Sequence, residues 1–162
     1  MSTEQLQGRK DELKLLRNMP VFGGMNSESL KTILHGAEEF EVSASDYFFR
    51  EGDAARSLFV LRTGTVQIEK LGAEGQPVVI RKLSQGDCFG EMSLIDLQPR
   101  SASVVAETDC LGMEIALKTL HELYSSDLEQ YAIIMMNMGR EVSRRLRTVS
   151  AKLFELEQHP NV

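Results

Sequence analysis

Tryptophan is absent from this chain of 162 residues, cysteine occurs twice and histidine three times, and each scarcity removes a class of function. Cys88 and Cys110 stand alone in strand-like segments with neither metal-ligand nor redox spacing, so buried free thiols in a cytoplasmic protein are expected. His35, His121 and His159 are far apart, on segments that read as helices or the tail. They cannot assemble the clustered ligands of a cupin-type metalloenzyme, no Ser-His-Asp arrangement is suggested, and without a metal to activate water a phosphodiesterase reading fails too. No metal, no cofactor and no catalysis are expected. Long apolar runs are also missing. No stretch approaches the ~18 apolar residues that span a bilayer. The first twenty residues interleave charges with Leu6, Leu13, Leu15, Leu16 and Met19, unlike a secretory leader, so no membrane partner is expected. Positive charge is outweighed: 18 Lys and Arg against 24 Asp and Glu give a net charge of −6, which argues against bulk attraction to nucleic acid. Internal repeats and low-complexity tracts are absent.

What is present suits one compact domain. Hydrophobic residues make up 42% of the chain, and a chain of this size buries about 70% of the surface its unfolded form exposes. Residues 5–18 have helical spacing, and Asn26 or Ser27 is placed to cap a second helix carrying Leu30, Ile33 and Leu34 before Gly36. Between residues 38 and 115 the pattern changes to short runs, among them Leu58–Leu61, Val66–Ile68, Val78–Leu83 and Ser103–Val105. Gly52, Gly64, Gly72, Gly75 and Gly86 punctuate them, the spacing of strands in a sandwich or barrel, and Gly72–Pro77 reads as a hairpin tip. The polar Gln67 between Val66 and Ile68 gives that strand one dry and one wet face. The last third is helical, with Leu128, Ala132, Met135, Gly139, Val142, Leu146, Val149, Leu153 and Leu156 forming a heptad seam.

Phe89–Ser103, FGEMSLIDLQPRSAS, places a glycine, an acid, a run of free amides and an arginine nine residues after the acid in one loop. Gly90 permits close backbone approach and torsions that a side chain forbids. Glu91–Ile95 is compatible with one helical turn whose first amides attract an anion. Arg100 offers a planar fork of donors to two phosphate oxygens, and Pro99 restricts the residues before it and helps to aim that fork. A carboxylate is repelled by phosphate, so Glu91 is expected to accept a hydrogen bond from a sugar hydroxyl. The loop therefore reads as a site for a sugar and a single phosphate. Taken alone, Glu91 and Arg100 also fit an ordinary surface ion pair beside a hairpin turn, worth about 0–1 kcal/mol.

The stretch resembles the phosphate-binding cassette of the cyclic-nucleotide-binding domain family, of the catabolite activator protein and protein kinase A regulatory subunit type. The shared features are FGE, a small apolar run, then PR followed by a small hydroxyl residue and Ala. EGDAARSLFVLRTGTVQI at Glu51–Ile68 is similar to that family's strand, Gly-Asp turn, strand, glycine, strand segment, and LSQGDCFGE at Leu83–Glu91 continues the match. The resemblance implies an α+β fold with a mainly β core, an eight-stranded antiparallel β-roll or jelly roll. N-terminal helices, a short phosphate-binding helix and a long C-terminal helix would complete it. The corresponding division is an N-terminal helical arm at 1–20, the nucleotide-binding β-roll at 21–125, a lid and dimerisation helix at 126–158 and a tail at 159–162. By position, Gly90, Met92 and Ser93 would offer backbone groups to a cyclic phosphate, Glu91 would hold the ribose hydroxyl and Arg100 would neutralise the phosphate. Ser101 would lie near phosphate and base. Ile68, Leu83 and Phe89 would be pocket wall near sugar and base, with plain core packing the even alternative.

In the same family the base is contacted from the dimer helix, including from the partner subunit. Alignment on Arg144, Arg145 and Leu146 makes Arg147, Thr148, Val149 and Ser150 the base and lid candidates, although Val149 replaces a threonine of the catabolite activator family. That replacement removes one hydroxyl and weakens that activator's mode of reading adenine; cyclic AMP is ranked first as ligand and cyclic GMP close behind. The expected partners are the nucleotide, a second copy through the C-terminal helix, and a protein not identified by the sequence. Arg140, Arg144, Arg145, Arg147 and Lys152 read as a solvated face flanking the seam. A DNA-reading module needs several more helices than follow Leu153, so a stand-alone domain with no helix-turn-helix and no direct DNA binding is expected. The expected mechanism is a sensor in which ligand draws in Arg100 and the turn at Glu91–Ile95, shifts a hinge near Leu120–Asp127 and moves the long helix. The rival reading is a scaffold with a vestigial pocket that docks a partner and binds no nucleotide.

Overall fold

The computed structural model describes residues 3–158, so the tail at 159–162 and His159 lie outside the described residues. Five α-helices and eight strands follow in the order α1 (Thr3–Asn18), α2 (Ser27–His35), β1 (Ala37–Val42), β2 (Tyr47–Phe49), β3 (Ser57–Thr63), β4 (Val66–Leu71), β5 (Pro77–Leu83), β6 (Cys88–Phe89), α3 (Met92–Asp96), β7 (Ser103–Ala106), β8 (Cys110–Ala116), α4 (Leu117–Ser126) and α5 (Leu128–Gln158). A 3-10 turn at Pro20–Phe22 joins α1 to α2. The strands form two four-stranded antiparallel sheets, β1-β8-β3-β6 and β2-β7-β4-β5. The β-roll with N-terminal helices, a one-turn helix after Glu91 and a long final helix is the architecture expected. None of the described helices is long and apolar enough to cross a membrane.

Local chemistry explains most boundaries. Asn26 caps α2 by accepting from the Ser29 amide at 2.8 Å, and Gly36 follows its last turn. The Gly72–Pro77 tip turns β4 into β5, with the Gly72 amide donating to Gln76 and the Gly75 amide to Gly72. β3 reads as a continuous apolar run because both of its faces are covered. Leu58 and Val60 point into a core shared with Leu16, Phe22, Leu30, Ile33, Leu120 and Ile134 of the helices. Phe59 and Leu61 point the other way, into the roll, among Val66, Leu83, Phe89 and Val104. Phe40, Phe48, Phe49, Phe59 and Phe89 interlock there with ring centroids 5.0 to 6.1 Å apart. Cys88 and Cys110 are buried and free.

The segment expected to act as a hinge, Leu120–Asp127, is helical to Ser126, and its Leu120 and Leu123 are fully buried. The chain breaks only at Asp127, whose extended φ of −151° separates α4 from α5. The first half of α5 docks through Ile134 and Met138, one turn apart and fully buried. The Asn137 amide donates to the Gly23 and Val21 carbonyls at 2.7 and 3.3 Å, and Gln130 accepts from the Asn26 amide at 2.8 Å. The heptad seam faces elsewhere. From Leu146 onward every described residue of α5 is exposed, including Leu146, Val149, Leu153 and Leu156.

Candidate phosphate and sugar site

Gly90 ends β6 with a φ of +85°, which directs the chain straight into α3. A Cβ at this position would stand 2.5 Å from Nη1 of Arg100, so the glycine is needed for torsion and for space. Arg100 reaches it from the far side of the loop, anchored by its own backbone: its amide donates to Asp53 at 2.9 Å and its carbonyl accepts from Gly52 at 2.8 Å. Its guanidinium donates to the Gly90 carbonyl at 3.0 Å and the Ser57 carbonyl at 2.8 Å, and lies 4.0 Å over the Phe49 ring. Only 5% of Arg100 is exposed. No carboxylate among the described residues forms an ion pair with it, and its buried Nε–H has no hydrogen-bond partner. Burial pushes its pKa down, opposed by the more distant Glu114, Asp53 and Glu91. A buried guanidinium with a free donor and no counter-charge is a site prepared for an anion.

Glu91 is not the surface partner of Arg100 that the ion-pair reading of the sequence offers: 1% of it is exposed, and it forms a salt bridge with Arg145 of α5. Arg145 also donates to the Cys88 carbonyl at 3.2 Å and stands 3.4 Å from Glu141, so it ties α5 to the loop at several points. Burial raises the Glu91 pKa, and Arg145 opposes that rise.

These groups line one cavity of about 350 Å³, within the range of small-ligand pockets. Gly90, Glu91, Met92, Ser93, Arg100 and Ser101 all border it, so the six expected ligand-binding residues are brought together. Ser93 and Glu91 are buried, Met92 and Ser101 exposed. Of the expected wall, Ile68 and Phe89 line the cavity and Leu83 does not. Leu83 pairs with Val66, farther along β4–β5 than the Ile68–Arg81 pair, and packs inside the roll. Of the base and lid candidates only Val149 borders the cavity. Arg147 lines a shallow cleft with Arg140 and Arg144, the Thr148 hydroxyl donates back to the Arg144 carbonyl at 3.1 Å, and Ser150 is exposed. Helical geometry is part of the reason: Arg145 and Val149, four apart, share the face that meets the cavity, and Arg147 and Ser150 lie on other sides of the helix. Sequence reasoning missed Arg145, which it counted with the solvated basic face. The available signal was Glu141 and Arg145 at helical i,i+4 spacing, one turn before Val149. It also missed Phe49, Lys70, Ile80 and Arg81.

Among the described residues no group of three or more His, Cys, Asp or Glu is placed to hold a metal ion.

Comparison with known proteins agrees with this geometry. A family model described as the cyclic nucleotide-binding domain matches residues 39–127, more than half of the chain. The cyclic AMP receptor protein of Thermus thermophilus is 28% identical over 140 residues, covering 85% of this chain and 62% of that protein. The cGMP-dependent protein kinase 2 of Mus musculus is 28% identical over 154 residues, covering 90% of this chain and 20% of the kinase. The chain thus spans less than two thirds of the length of either relative. Among solved structures, the regulatory domain of Toxoplasma gondii PKA with cAMP superposes with a TM-score of 0.68 at 29% identity, over 72% of this chain and 44% of that one. A cyclic nucleotide-binding domain from Methylobacillus flagellatus shares the fold at a TM-score of 0.80 and 21% identity, over 92% of this chain and 84% of that one. With the cassette residues gathered around a buried guanidinium and the family model spanning the roll, the chain belongs to the cyclic nucleotide-binding domain family.

Proposed function

We propose that this protein is a cyclic-nucleotide sensor, binding cyclic AMP first and cyclic GMP close behind, that passes the binding event to its C-terminal helix. The observation that supports this most is Arg100, a buried cation with a free Nε–H and no carboxylate partner. A singly charged cyclic phosphate supplies the missing counter-charge, and the amides of Gly90, Met92 and Ser93 at the start of α3 complete its cradle. Glu91 accepts from the ribose 2′-hydroxyl. Because Glu91 is already bridged to Arg145, the sugar and α5 share one carboxylate. Ligand that reorients Glu91 therefore changes the hold on α5 at Arg145, with Val149 one turn beyond it to meet the base. Two positions of α5 biased by ligand correspond to a coupling of roughly 1–3 kcal/mol.

The output in this reading is a dimer geometry or a partner protein rather than direct contact with DNA, and the protein is regulatory rather than catalytic. The exposed second half of α5 supports a parallel partner helix, since an apolar heptad seam on a solvated helix invites one. Titration calorimetry with cyclic AMP, cyclic GMP and linear AMP tests the reading. Cyclic nucleotides are expected to bind and AMP to bind more weakly, and Arg100→Ala should weaken cyclic AMP by about 2–5 kcal/mol. Undiminished binding by the variant overturns the role of Arg100, and no heat from either cyclic nucleotide favours the scaffold with a vestigial pocket.

A further inference from the structure

A second cavity, of about 740 Å³, opens on the α4 side of the molecule and shares no residue with the phosphate and sugar site. Its apolar wall is Leu117, Leu120, Tyr124 and Tyr131. Leu120 forms the floor, being 1% exposed, whereas Tyr124 is half-exposed. The Tyr124 ring meets Tyr131 edge-on at 5.2 Å and stacks on His121 at 6.0 Å, so the aromatic wall bridges α4 to α5. The polar lining is of one kind: Arg56, Lys118 and His121, with no Asp or Glu. Arg56 is exposed and has no ion-pair partner among the described residues, and Lys118 has only Glu122 at 4.0 Å, both side chains largely in solvent. In a chain with a net charge of −6, an apolar hollow rimmed by cations runs against the overall balance.

We propose that this cavity is a second binding site, for a small organic anion with an apolar body, namely a medium-chain or aromatic monocarboxylate. The tail or ring lies against Leu117, Leu120, Tyr124 and Tyr131, and the carboxylate meets Arg56 and Lys118 at the mouth. The volume suits a small ligand. The position also places the site where it can be felt elsewhere: the Leu117 amide donates to the Arg56 carbonyl at 2.7 Å, and the next residue, Ser57, supplies the carbonyl that holds Arg100. Tyr131 lies just past the Asp127 break, so an occupant touches both helices that meet there.

The test uses the full chain and sodium octanoate as probe, with octanol and octylammonium as neutral and cationic controls of equal length. Calorimetry is expected to rank octanoate above octanol and octylammonium last, with ring resonances of Tyr124 and Tyr131 shifting on addition. The double variant Arg56→Glu with Lys118→Glu, both exposed and outside the core, should weaken octanoate about tenfold or more while leaving octanol unchanged. Far-UV circular dichroism of that variant verifies the fold, and Arg56→Gln with Lys118→Gln should give an intermediate loss. Saturating cyclic AMP should not displace octanoate. The proposal is overturned if octanoate fails to bind, if the three probes bind alike, if charge reversal changes nothing, or if cyclic AMP displaces octanoate by competition. Each of these results leaves the nucleotide reading intact, because that rests on Arg100.

Discussion

At the residue scale the site depends on a glycine and a cation that fit each other. A side chain at position 90 meets the Arg100 guanidinium and must also adopt a left-handed φ. Gly90→Ala is therefore expected to cost about 1–3 kcal/mol in urea unfolding and to weaken cyclic nucleotide binding in the same samples. An unchanged unfolding midpoint would show that the loop relaxes freely. The nearby thiol gives a pH signature. Burial, and then the charge of Glu91, push Cys88 from an ordinary 9.0 up to about 12. Its folded pKa lies above the unfolded one, so its contribution is fully present below pH 9.0 and is lost as pH rises toward 12. Wild type should lose stability more steeply than Cys88→Ala between these limits. Cys110, shifted in the same direction, remains in both proteins, so the difference in slope isolates Cys88.

At the element scale the long helix has two halves with different physics. The first half is pinned by the buried pair Ile134 and Met138 and by Asn137, whose amide serves the Gly23 and Val21 carbonyls. Asn137→Ala removes both donations and should cost about 1–2 kcal/mol, with faster amide exchange along residues 130–140 as the direct readout. Protection equal to wild type would assign the anchoring to apolar contact alone. Arg145 marks the boundary between the halves. Its neighbours in sequence face solvent, yet it reaches the buried Glu91 because the helix brings it over the loop. The basic residues around it are alike in the sequence, and only the rotation of α5 distinguishes the one that enters the site.

For the molecule as a whole, the second half of α5 is unusual: Leu146 and Leu153 are 63% and 56% exposed, and among the described residues none from Leu146 onward is buried. A helix segment of that length is marginal alone in water, so a partner helix is the expected source of its order. Leu146→Asp with Leu153→Asp should weaken self-association by about 1.5–3 kcal/mol per leucine, read as a shift toward monomer in sedimentation equilibrium. A wild-type protein that sediments as a monomer at high concentration would refute the seam as a dimer contact.

The chain order by itself determined a great deal. The alternation and glycine spacing from residue 38 to 115 specify strands, Asn26 or Ser27 and Gly36 bound α2, and FGE with PR nine residues on marks the loop that resembles the family's phosphate-binding cassette. These are local signals, each contained within a few residues whose torsions and pattern are self-sufficient. Tertiary structure decided what depends on rotation and register. It separated Leu83 from the pocket wall through the β4–β5 pairing and selected Arg145 and Val149 over Arg147 and Ser150 by helix face. It also packed α4 on the core through Leu120 and Leu123, so that the break before α5 falls at Asp127. Local alternation and helical spacing say which residues share a face, and contacts distant in the chain decide which face meets the site.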